Sequence, residues 1–168
     1  MELDLADAVE TAADPAVVWR RMLEPSAVMG ILGGEGKVLG AAESAGFGAA
    51  GGHTIRIKGV GGGLYHARID RCDEPSMVSY VVWREDVPDS LLLLTYTIET
   101  AGSRTMLTGS VTMDMPLEEL LGSFLLAGVL ALPLVGRRVR RYVSRRLRTQ
   151  LLMMAAPAGE GVGGGAGS

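Results

Sequence analysis

At 168 residues, with 48% apolar and 21% charged side chains and a net charge of −3, the chain has the composition of one globular domain and not of a disordered segment. Its single cysteine, Cys72, excludes an internal disulfide framework and fits a reducing compartment. The acidic opening MELDLADAVE lacks the positive and apolar regions of a secretory signal, so a cytoplasmic location is expected.

Residues 2–12 alternate apolar and polar and read as a first strand. Asp14-Pro15 then starts a helix, with Asp14 able to cap the first turn and Pro15 at the position where a missing N–H breaks no bond. That helix, AVVWRRMLE, stops before Pro25, and Pro25-Ser26 begins a second, very short one through Met29. From Gly36 to Met115 the pattern has a period of two. Segments 53–58, 64–72, 77–84, 91–99 and 105–114 alternate and are separated by GVGGG (59–63), Asp73-Glu74-Pro75-Ser76, EDVPDS (85–90) and Ala101-Gly102-Ser103. Short turns make neighbouring strands antiparallel, and one apolar face means a sheet covered on one side.

Charge divides the chain. Residues 1–119 carry nine basic and eighteen acidic side chains (net −9), whereas 120–168 carry seven and one (net +6). Seven arginines fall between Arg137 and Arg148, directly after the uncharged run Leu120 to Gly136. At 17 residues that run is shorter than the ~20 a bilayer core needs, and it contains Pro133 and three glycines. One long helix over about 116–155, kinked near Pro133, is the better account. Val135, Val139, Tyr142, Val143, Leu147, Leu151 and Met154 form its apolar stripe, with arginines on the other faces. The order implies an α+β fold in which a strongly curved antiparallel sheet of six or seven strands wraps around the long C-terminal helix, two short helices following the first strand. A single domain is expected over 1–156, with a disordered glycine-rich tail at 157–168.

The segments VETAADPAVVWRRMLEPSAV, RIDRCDEPSMVSYVVWR and GSRTMLTGSVTMDMP resemble the START-like helix-grip superfamily (SRPBCC), in particular its polyketide cyclase/dehydrase and lipid-transport branch. The position of an isoleucine-proline-glycine turn in the aldehyde-oxidation accessory proteins of that superfamily reads Ile31-Leu32-Gly33 here. The resemblance implies a cavity between sheet and long helix for an apolar ligand such as a lipid, sterol, quinone or polyketide. Its expected lining is Trp19, Ile55, Ile57, Tyr65, Tyr80, Val82, Tyr96 and Leu107, with Phe124, Leu125 and Gly128 facing them from the helix.

Other chemistries find less support. His53 and His66 match no metal-ligand spacing, and no metal or other cofactor is expected. Gly33 to Lys37 imitates a phosphate-binding loop, but Ile31 stands where its first glycine belongs and Val38 where Ser or Thr would hold magnesium. No serine or cysteine has a placeable base. Arg137, Arg138, Arg140, Arg141 and Arg145, beside an apolar run, suit an anionic membrane surface; nucleic acid is disfavoured because only Tyr142 interleaves with them. The first expectation is a carrier or sensor of a hydrophobic small molecule near the membrane surface. An aromatase/cyclase using Tyr80, Tyr96 or His53 is the second, and a non-catalytic protein that homodimerises through the apolar half of the helix is the third.

Overall fold

A computed structural model of the protein describes residues 2–32, 38–39, 55–58, 64–85, 87–102, 104–114 and 132–157. Strand β1 (Glu2–Thr11) turns Leu3, Val9 and Thr11 into the interior and leaves Asp4, Ala6, Ala8 and Glu10 exposed, the alternation its sequence carries. Helix α1 (Pro15–Met22) follows at once. The Asp14 carboxylate accepts the Ala16 amide at 2.8 Å, and Val18, Trp19 and Met22 form the buried side. Helix α2 (Pro25–Leu32) runs about one turn beyond the expected end at Met29, because Ile31 is buried and continues the stripe begun by Ala27 and Val28.

The remaining strands are β2 (Val38–Leu39), β3 (Ile55–Lys58), β4 (Leu64–Asp73), β5 (Met77–Arg84), β6 (Val87–Ala101) and β7 (Arg104–Asp114). They pair antiparallel in the order β1-β7-β6-β5-β4-β3-β2, a curved open sheet. Five of them, β1 and β4 to β7, have full length. The expected six or seven strands thus reduce to five of full length, with β2 and β3 as strips of two and four residues at one edge. Glycine-rich sequence surrounds both strips, and glycine weakens a strand by entropy and by offering no side chain to pack.

Strand β6 also departs from expectation, starting at Val87 inside the segment read as a turn. Its register with β7 begins only at Leu91↔Asp114, so Pro88 falls where its missing N–H breaks no bond to β7. At the other end Gly102 has φ of +63° and turns β6 into β7, a left-handed conformation natural to glycine.

Helix α3 (Leu132–Ala155) crosses the concave face and packs on β1, β7 and α2. Val143, Leu147, Leu151 and Met154 are buried as expected from their spacing, each contributing ~1.5–3 kcal/mol by leaving water. Tyr142 is not buried with them; it is 46% exposed, and Gln150 (3%) takes a place on the inner face instead. Seven residues separate Val143 from Gln150, two helical turns, which returns the glutamine to the buried stripe.

Arginines fasten α3 to the rest. Near its C-terminus Arg21 donates to the Met154 carbonyl at 2.9 Å and also to that of Ala156, while the Thr11 hydroxyl donates to the Ala155 carbonyl at 2.6 Å. These bonds satisfy acceptors that a helix end leaves open. Along β1, Arg140 donates to the Asp4 carbonyl at 3.2 Å and Arg148 to the Ala8 carbonyl at 2.8 Å and the Asp7 carboxylate at 3.1 Å. Two members of the arginine block therefore occupy backbone acceptors of the sheet's terminal strand.

Candidate functional site

A cavity of about 170 Å³ lies at one end of the sheet, between α2, α3 and strands β4 to β7. Parity builds its floor. Val82, Leu92 and Met113 share one cross-strand row on the concave face, and Arg84 stands two residues beyond Val82. Tyr65, paired with Arg84, adds a hydroxyl, and Trp83, at the register shift of β5 against β6, also borders the cavity. Ile31 and Leu32 close one side from α2; Val139, Tyr142 and Val143 close the other from α3. Tyr142 is the exposed member and so marks the mouth, with the Arg146 guanidinium 5.3 Å from its ring centroid. The walls are mainly hydrocarbon, with an arginine and two tyrosines as polar groups, the composition of a small-molecule site. The volume matches roughly one six-membered ring, the content of a 150 Å³ apolar cavity known to take benzene.

Tyr65 and Val82 of the expected lining thus stand at this cavity, while other members of the set lie elsewhere. Tyr80 and Tyr96 are completely buried, and their hydroxyls donate to the main-chain carbonyls of Met22 at 2.5 Å and Ala27 at 2.8 Å. Burial raises the pKa of both phenols, to which proximity of Cys72 adds for Tyr80 and of Tyr80 for Tyr96. The expectation that these hydroxyls orient a ligand or exchange protons is corrected accordingly: each is engaged with a carbonyl and held neutral. Trp19 and Leu107 belong to the filled core. His53, Phe124, Leu125, Gly128 and the side chains of Ile55 and Ile57 lie outside the described residues, as does the apolar run 120–131.

The filled end of the core has a specific cause. At Gly109 of β7 an added Cβ would sit 2.8 Å from Leu147 Cδ1 and 3.0 Å from Leu151 Cδ2, so helix and sheet approach as closely as a glycine permits. Farther along α3, Val139 and Val143 face Leu92 and Met113 across the cavity. Only Tyr65 and Val82 of this lining were in the expected set; Ile31, Leu32, Trp83, Arg84, Leu92, Met113, Val139, Tyr142 and Val143 were not. The strand alternation 80-82-84 and the helix stripe carry the signal for most of them, but neither says at which end of the sheet the helix lifts away.

The other candidate chemistries gain nothing. Among the described residues no three His, Cys, Asp or Glu side chains gather in a way that could hold a metal ion. Burial, then Glu74 and Asp73, push the Cys72 thiol above its usual range, which disfavours a nucleophilic thiolate. His66 pairs with Glu85 at 3.5 Å on the outer face, away from the cavity. Arg137, Arg138, Arg140, Arg141 and Arg145 are all exposed, and no described helix is long and apolar enough to cross a membrane.

No protein-family model and no curated protein matches the sequence. Solved structures do match in fold. The Zhui aromatase/cyclase from Streptomyces sp. R1128 is 15% identical with a TM-score of 0.52, covering 93% of this chain and 98% of its own. The Aha1 dimer from Colwellia psychrerythraea is 10% identical with a TM-score of 0.53, covering 95% and 99%. A Mesorhizobium loti protein is 14% identical with a TM-score of 0.53, covering 90% and 96%. The shared architecture is the α+β helix-grip type, a curved antiparallel sheet with a C-terminal helix on its concave face.

Proposed function

We propose that this chain binds a hydrophobic small molecule, a lipid, quinone, sterol or polyketide-like compound, between its sheet and α3, as a carrier or sensor near a membrane surface. The cavity of about 170 Å³ at Val82, Leu92, Met113 and Val143 carries the reading. An apolar end seated there leaves water at ~25 cal/mol per Å² of buried surface. Arg84 and Tyr65 would orient an oxygen-bearing end by charge-assisted and neutral hydrogen bonds. The aromatase/cyclase in the comparison shares this fold, but Tyr80 and Tyr96 are unsuited to acid/base work here, so binding without turnover is the preferred account.

Native mass spectrometry and solvent extraction of the purified chain test the reading. An apolar compound should co-purify, and Val143→Trp, which fills the cavity, should expel it while the protein stays folded. A chain that never carries or takes up such a compound, across a panel of quinones, sterols and fatty acids, defeats the proposal. The membrane element rests on a separate observation: Leu152 (53% exposed) and Met153 (60%) stand on the solvent face of α3 with Arg138, Arg141 and Arg145, pairing apolar and cationic groups as interfacial helices do.

A further inference from the structure

The convex face of the sheet is polar along most of its length. The row Ser79, Thr95, Ser110 is typical, with Ser79 and Thr95 hydroxyls 2.8 Å apart. Two rows toward the end of β5 break the pattern. The first reads Asp4, Thr112, Leu93, Val81, Arg68 from β1 across to β4, each residue the register partner of the next. The second places Leu91 beside Trp83 and Trp83 beside His66. Leu91 is 49% and Leu93 39% exposed, so the apolar centre is open to water. Trp83 is held rigidly: His66 stacks on it at 5.3 Å and 15°, and the Arg68 guanidinium lies 6.0 Å from its ring centroid. Exposed leucines beside a half-buried, stacked tryptophan have the make-up of an interface centre.

The order of charges across the first row names the occupant. Acid lies at one end (Asp4, exposed), base at the other (Arg68, exposed), with leucine in the middle. A two-fold axis parallel to the strands at Leu93 sets Leu93 on its own copy, and it brings Asp4 over the partner's Arg68 and Arg68 over the partner's Asp4. The surface is therefore complementary to itself, the requirement for an isologous contact. We propose that the convex face, centred on Leu93 and Leu91, with Trp83, which also borders the cavity, at its margin, associates with a second copy of this chain. Five strands at ~4.8 Å spacing give a patch ~19 Å across. Convex faces meet over less than the ~800 Å² per partner of a standard interface, so the dimer is weak and reversible.

Sedimentation equilibrium of the full chain, taken up to about 1 mM, tests this directly. The wild type should dimerise reversibly. Asp4→Lys and Arg68→Glu should each weaken association about tenfold, through like charges facing across the axis, and the double variant Asp4→Lys/Arg68→Glu should recover it. Leu93→Asp should abolish the dimer; circular dichroism checks its fold, and the charge swap stands alone if that variant fails to fold. A monomeric wild type overturns the proposal. So does a dimer indifferent to all three changes, or a monomer whose Leu91 and Leu93 are instead needed for binding to vesicles.

Discussion

Tyr80 and Tyr96 show how much depends on the final atom of a side chain. Both rings fill the core as apolar groups, and both hydroxyls reach helix carbonyls on the α1–α2 segment, tying the two helices to adjacent strands. Replacing either with Phe keeps the packing and leaves a buried carbonyl without its donor, so each variant should lose ~1–3 kcal/mol in chemical denaturation. The raised phenol pKa values also fix a direction with pH. Below the ordinary tyrosine value of 10.0 both phenols are neutral, folded or unfolded, and their contribution is complete. Above it the unfolded chain releases protons that the folded chain retains, so stability falls with rising pH, with a slope of ~1.4 kcal/mol per pH unit for each tyrosine. Melting curves from pH 9 upward should show that decline, and Tyr96→Phe should flatten it; equal slopes in wild type and variant would contradict the assignment.

Among elements, alternation and helical stripes make most of the secondary structure legible in the sequence. The β6 inward set Leu92, Leu94, Tyr96 and Ile98 and the α3 set Val143, Leu147, Leu151 and Met154 are buried at the expected spacing. The early start of β6 was hidden because Pro88 and two aspartates signal a turn wherever a strand is fully paired, and here the stretch before Leu91 lacks a β7 partner in the register. The cavity was only half legible for a different reason: parity says which side chains face inward, whereas the gap between two elements depends on their closest approach. That approach is Gly109. Gly109→Ala should push α3 off β7 against Leu147 and Leu151 and lose ~1–3 kcal/mol, measured by urea denaturation. Arg140, read from sequence as part of an anionic-membrane surface, and Arg148 occupy the carbonyls of Asp4 and Ala8. Exposed strand edges recruit other chains, and guanidinium donors on these acceptors block such pairing. Arg140→Ala/Arg148→Ala should therefore speed amide exchange in β1 selectively and promote aggregation, with β5 unchanged.

For the whole molecule, the arginine block, apart from Arg146 over the Tyr142 ring, divides into two groups with separate tests. Charge reversal at Arg137, Arg138, Arg141 and Arg145, sparing the two arginines that hold β1, should lower partition onto anionic vesicles by on the order of a hundredfold or more, at ~1 kcal/mol per basic residue, with no loss of thermal stability. Equal partition before and after would remove the membrane from the proposed function. A last consequence comes from the carbonyls of Met154, Ala155 and Ala156, which Arg21 and Thr11 grip at one end of α3. That grip makes the helix a lever with its fulcrum at the C-terminus. Val139 lies 15 residues away, ~22 Å at 1.5 Å per residue, so a tilt of only ~10° moves the cavity wall by roughly 4 Å. Arg140, which holds the Asp4 carbonyl beside Val139, would have to let go before that rotation could widen the cavity for a larger guest.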